Sequence, residues 1–315
     1  MFSKLQTALK KKKTGAIRIE NGIKVGSPIF AWLLILPAFI TWLVFWLYVN
    51  FDSIILSFQK SNGDWTLQHY QWVIQNLVGT NGEDGMLGIA LKNTLTYFFV
   101  NYFIVQTFNV VLAYFLYKKI KGYKFFRFFL YLPNLLAGAT LATIYKQLIA
   151  YNGPIIDMLY NWGWITERYQ LLYSDRYAMT LSVVYSLWVC VGANMIYSLG
   201  AMARVPQEVL EAAQLDGVTP WQEFVHLILP LISGTLSTLY VLGLAGFLNA
   251  GGATLFLTNG NYNTQTLSFW IFWQIYTGGS TGTSSALGIM MTLVMLPVTY
   301  FVKWVAAKIS PEVTY

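Results

Sequence analysis

Residues 224–302 contain no Asp, Glu, Lys or Arg, a run of 79 positions. A water-soluble domain does not accommodate such a stretch, because its outer faces need charged side chains at short intervals. Four shorter uncharged runs precede it, at 25–51, 93–117, 128–145 and 177–203. Each holds one helix of about 20 mainly apolar residues, the length that crosses a bilayer core. Polar segments at 249–266 and 278–285 interrupt the long run, leaving spans near 228–248 and 286–305. A short apolar piece near 267–277 is too brief to cross and reads as interfacial or re-entrant. The pattern therefore predicts six spanning helices. Composition agrees: charged residues make up 10% of the 315, against about 25% in a typical soluble domain. This excludes a disordered chain, a basic nucleic-acid-binding domain and an ordinary soluble enzyme. The lone cysteine, Cys190, excludes a disulfide framework and a Cys-based zinc site.

Lys and Arg collect on the cytoplasmic side of membrane proteins. With the N-terminus inside, 15 of the 20 basic residues fall on inner segments, and only Lys60, Lys92, Lys146, Arg168 and Arg176 fall outside. The expected topology is N-in and C-in. Lys10–Lys13 read as a topology anchor beside anionic headgroups. The first apolar stretch is too long for a signal-peptide core and reads as a retained span. The spans carry no ionisable residue near their middles, which argues against a proton-driven carrier. Neutral polar residues do occur there, among them Asn134, Ser186, Asn194 and Asn249, and such residues often bond helices together. His69 and His226 fall on opposite faces, so they share neither a metal nor a catalytic triad. No Gly-x-x-x-x-Gly-Lys-Ser/Thr loop is present, so the chain does not itself cradle ATP.

The inner segment 204–226 is the most structured loop in the sequence. Pro206 suits a first-turn position of a helix, and Gly217 suits the left-handed residue that stops it. Thr219, Pro220 and Gln222 spell a capping box for a second helix. The first helix places Ala212 and Ala213 beside Glu211 and Asp216, a small-residue acidic surface suited to docking in a cleft.

This segment resembles the EAA loop of binding-protein-dependent ABC importer permeases. The resemblance is carried by Glu211, Ala212, Ala213, Asp216, Gly217, Trp221, Phe224, Leu229 and Pro230, with Val218 where Ala is more usual. Phe126-Arg127 and Tyr131-Leu132-Pro133 are similar to the start of the family's third core helix. Leu257-Thr258-Asn259-Gly260 resembles the stretch after its fifth, with Asn261 and Tyr262 replacing a Gly-Pro. The likeness spans residues 28–308, outside the basic segment 1–27 and the tail 309–315, and is nearest the maltose-permease-like carbohydrate type.

The resemblance implies an all-α membrane protein with six transmembrane helices of the type I importer fold, in a bacterial or archaeal plasma membrane. It implies a second permease subunit, two ABC ATPases that hold the ATP and Mg, and an extracytoplasmic solute-binding protein. This chain would bind no cofactor and catalyse no reaction. Glu211, Ala212, Ala213, Asp216, Gly217, Phe224 and Pro230 would couple to an ATPase. Asn134, Gly138, Ser186, Val189, Cys190, Gly246, Phe247, Asn249 and Ala250 would line a sugar pathway. The alternatives are the same architecture for another solute, such as glycerol phosphate, or an ion-coupled secondary carrier.

Overall fold

The computed structural model describes residues 28–60, 62–79, 85–247 and 253–309. The segment 1–27, Asn249, Ala250 and nearly all of the tail lie outside the described residues. Helices make up the described fold, joined by turns and a single Gln59–Trp65 bridge. Four helices are long and apolar enough to cross a membrane, or six if each of two bent pairs forms one span.

The first helix, α1 (28–57), carries a π-helical segment at Leu43–Tyr48. It leaves large apolar side chains such as Trp32 and Phe45 more than 70% exposed and joins the bundle by packing Val49–Ser57 on the last helix. Exposed aromatic surface of this kind is stable only in hydrocarbon or under a partner. A short α2 (Gln68–Val78) precedes α3 (Met86–Tyr117), which contains a second π segment at Val100–Val105.

The third expected span is not one rod. α4 (Tyr123–Leu135) and α5 (Gly138–Leu148) meet at 109°. The break is local: Leu136 and Ala137 adopt extended backbone, just after Pro133. An uncharged run records apolarity but not direction, so the sequence pattern joined them. The fifth expected span is likewise bent by 71°, between α10 (Pro220–Leu231) and α11 (Ser233–Ala245), at Ile232. Between these pairs lie the short α6 (Pro154–Asn161), α7 (Ala178–Cys190), α8 (Ala193–Met202) and α9 (Gln207–Leu215).

After the one-turn α12 (Thr254–Leu257), the apolar piece near 267–277 forms α13 (Leu267–Tyr276). Its 10 residues reach about 15 Å, too short to cross. Leu267 and Trp270 bury against Val73, Leu87 and Leu287. The last helix, α14 (Thr281–Ile309), starts earlier than expected. The hydroxyls of Thr283 and Ser284 donate to the Ser280 carbonyl, so this polar stretch becomes a first helical turn rather than a break. Gly282 sits there because any Cβ would lie 2.4 Å from the His69 ring.

Candidate coupling loop and translocation seam

The loop between α8 and α10 folds as a helix, a glycine turn and a second helix start. Pro206 stands one residue before α9, as its N-cap with extended backbone, and not inside the first turn. At the far end Asp216 is the C-cap and Gly217 has φ +72°. The Val218 N–H donates to the Ala213 carbonyl and the Gly217 N–H donates to Gln214. These are the paired bonds of a Schellman turn, which needs a residue without a Cβ penalty at the glycine position. Thr219 and Gln222 then close the expected capping box.

α9 is amphipathic, and its faces divide the proposed coupling residues. Leu210 is buried in a cluster with Phe224, Ile228 and Met202, and Ala213 is buried as well. Glu211, Ala212 and Asp216 are exposed. Ala213 and Phe224, also expected to couple, are buried instead of exposed. Pro230 is exposed, two residues before the bend at Ile232. The tip is more apolar than expected: Leu215 is 90% and Trp221 68% exposed. Leu215 lies off the Leu210–Ala213 stripe, so the helical spacing already carried that signal.

An ionic and aromatic clamp fixes the second half of the loop to the end of α3. Glu223 is 3% exposed and accepts two hydrogen bonds from Lys118 Nζ, both at 3.0 Å. The Tyr114 hydroxyl donates to the Pro220 carbonyl at 2.8 Å, and its ring lies 4.8 Å from that of Phe224. Sequence reading missed this clamp because its partners are 105 positions apart.

Four of the residues expected to line a pathway, Asn134, Ser186, Val189 and Cys190, gather where α7 breaks into α8. Gly192 packs its backbone on α4, and a Cβ there would lie 2.4 Å from the Leu130 carbonyl. Asn134 donates to the Val189 carbonyl, Asn109 to that of Cys190, and Ser186 to Asn101 Oδ1 at 2.9 Å. Asn194 donates to Gln106 at 2.8 Å. The Asn109 Oδ1 and Gln106 Nε2 atoms are buried without a hydrogen-bond partner. Asn134, Ser186, Val189 and Cys190 thus converge, and Gly138 joins them through a bond from the Tyr185 hydroxyl to its carbonyl.

Phe247 stands apart from these, edge-on to Phe98, which stacks on Tyr102. Gly246 caps α11 next to it. The π segment of α3 links the two groups, since Asn101 faces α7 while Tyr102 packs on Tyr240 of α11. Such irregular turns recur at functional sites. The expected pathway residues lie on later helices; the α3 side chains that bond to them, Asn101 and Asn109, stand with Gln106 inside one uncharged run.

His69 Nε2 lies 3.0 Å from the Gln59 carbonyl, and His226 Nδ1 lies 3.2 Å from that of Gln222, at separate places in the fold. Among the described residues no three His, Cys, Asp or Glu side chains come together to hold a metal.

An apolar exterior, bent spans and an exposed loop helix clamped to the bundle define a membrane-embedded transport component. The family of binding-protein-dependent transport system inner membrane components matches residues 107–314, and the chain belongs to that family. The lactose transport system permease protein LacF of Rhizobium radiobacter is 25% identical over 299 residues, covering 92% of this chain and 97% of that relative. The arabinooligosaccharides transport system permease protein AraP of Bacillus subtilis is 26% identical, covering 84% of each chain. The fold matches a chain from the crystal structure of a bacterial ABC transporter involved in the import of the acidic polysaccharide alginate. That match has a TM-score of 0.77 at 21% identity and covers 97% of this chain and 99% of the other.

Proposed function

We propose that the chain is a permease subunit that moves a neutral sugar or oligosaccharide, with a second permease, two ABC ATPases and an extracytoplasmic binding protein as partners. The observation that carries the reading is the α9 loop. It exposes Glu211, Ala212, Leu215 and Asp216 on a rigid tip while Leu210 and Phe224 lock it to α3 and α8. A tip built this way transmits displacement instead of absorbing it. ATP and Mg would act on the partner ATPase. ATP must bind one state of the assembly better than the other for this displacement to be driven.

The solute reading is supported by the relatives' names and by the chemistry of the seam. Asn101, Asn109, Asn134 and Ser186 offer amide and hydroxyl groups, and Phe98, Tyr102 and Phe247 offer ring faces. Sugars are held by such groups. None of these seam residues is cationic, which disfavours glycerol phosphate or an acidic polysaccharide. Orientation follows from the basic residues, with α9 and both chain ends on the cytoplasmic side of a bacterial or archaeal plasma membrane.

The test co-expresses the chain with its partner subunits. Glu211→Ala should lower ATPase recovery on purification while the chain stays inserted, and solute-stimulated ATP hydrolysis should fall with it. Full ATPase recovery and unchanged uptake would overturn the coupling assignment.

A further inference from the structure

Where α3 turns into α4, the chain builds a basic surface cleft for which neither the coupling loop nor the seam has a use. Lys119 and Gly122 both take left-handed backbone, φ 51° and 85°, which reverses the chain sharply. Two adjoining cavities, about 700 and 420 Å³, open beside this turn and share Tyr123, Arg127 and Ile196. Lys119 lines the larger and Lys124 the smaller. Among the described residues the ion pairs are Lys118–Glu223 and Arg168–Asp157, so Lys119, Lys124 and Arg127 have no carboxylate partner. Three unpaired cations thus face one cleft whose remaining walls, apart from the paired Lys118 and Gln207, are apolar and tyrosyl.

α4 supplies the rest of the argument. It stands at 109° to α5, and Phe125, Phe128 and Phe129 are 65%, 61% and 55% exposed. Phe128 shares the face of Lys124 and Arg127, with Phe125 and Phe129 on the face next to it, and a helix that combines exposed cations with exposed Phe is the kind that lies in a membrane interface. Phe128 itself lines the smaller cavity, directly beside Arg127 and Lys124.

We infer that this cleft binds an anionic phospholipid, with the phosphate on Lys119, Lys124 and Arg127 and an acyl chain along Phe128 and Ile196. Charge complementarity fixes the headgroup as anionic, since among the described residues no Asp or Glu lines either cavity and the cleft's Lys118 is already paired with Glu223. The apolar walls fix the ligand as a lipid, because a free phosphate would leave Phe128 and Ile196 uncovered. Leu210 of α9 forms part of the larger cavity, so a bound lipid touches the inner side of the loop helix. The inference holds for either orientation of the chain and for any transported solute.

The experiment uses the full chain co-expressed with its partner subunits and transferred to phosphatidylcholine nanodiscs with or without phosphatidylglycerol. Retained lipid is counted by native mass spectrometry. Phosphatidylglycerol should be retained over phosphatidylcholine. The Lys119→Gln/Lys124→Gln/Arg127→Gln variant should lose that preference by on the order of a hundredfold, from about fivefold per cation. These three side chains are exposed, so the variant should fold, and thermal unfolding checks this. Lys121→Gln removes one charge, as Lys124→Gln alone does, but from an exposed position outside both cavities, and should retain phosphatidylglycerol where Lys124→Gln loses about fivefold. Arg127→Lys should retain it as well. Equal loss in Lys121→Gln would show general surface attraction and overturn the site. So would displacement of the lipid by inorganic phosphate, or no preference in the wild-type complex.

Discussion

Removing the Lys118 ammonium tests how the loop is fixed to the bundle. Glu223 is 3% exposed and takes both short bonds from Lys118; its next polar neighbour, the Tyr114 hydroxyl, is 3.5 Å away and already donates to Pro220. Lys118→Ala therefore leaves a nearly buried carboxylate without a counter-charge. Breaking a buried pair this way costs about 3–5 kcal/mol. The Lys118 side chain is 29% exposed, so water can enter the vacancy, and about 2–4 kcal/mol is expected. The double variant Lys118→Met/Glu223→Gln removes both charges at similar volume and should cost less than about 1 kcal/mol, because a neutral pair avoids the desolvation penalty. Equilibrium unfolding of the two singles and the double in detergent gives the coupling directly. ATP hydrolysed per solute imported, measured in proteoliposomes, should rise in Lys118→Ala as the loop loosens. If Lys118→Ala is as mild as the double, the pair is a rim contact and the clamp argument fails.

Gly217→Ala should cost about 1–2 kcal/mol of loop stability, because φ is +72° and no neighbouring atom obstructs the new Cβ. Gly217→Pro should be worse by its locked φ and its lost N–H bond to Gln214, about 3 kcal/mol or more, read as ATPase lost on purification. Gly192→Ala should push α4 away from the α7–α8 break, at about 1–3 kcal/mol for overpacking, and lower uptake while leaving ATPase recovery intact. Phe247→Ala should raise the KM for uptake without disturbing assembly; unchanged transport kinetics would remove that residue from the pathway.

The membrane class was legible in the charge-free runs, because burying or exposing apolar side chains to lipid is a one-dimensional property of the chain. The loop was legible for a similar reason. Gly217, Thr219, Pro220 and Gln222 act on backbone groups a few residues away, and the Schellman turn and capping box formed where the spelling put them. Helix direction was not legible. The 109° turn after Pro133 and the 71° bend at Ile232 interrupt runs whose apolarity does not change. The short polar start of α14 looked like a break until the Ser280 carbonyl was seen to take its hydroxyls.

The facing of α9 and the partners of the seam depend on contacts between distant parts of the chain. Glu211, Ala212 and Ala213 are adjacent letters of one motif, yet Ala213 packs inward while its two neighbours face out. Glu223 gains its charge partner from 105 positions away, and Asn109 meets the Cys190 carbonyl across 81. The sequence by itself determined that the chain enters a membrane and where the 204–226 loop turns, because hydropathy and capping are local. Only the tertiary structure decided which polar groups meet, because an amide or carboxylate in an apolar medium takes the nearest partner that helix packing delivers.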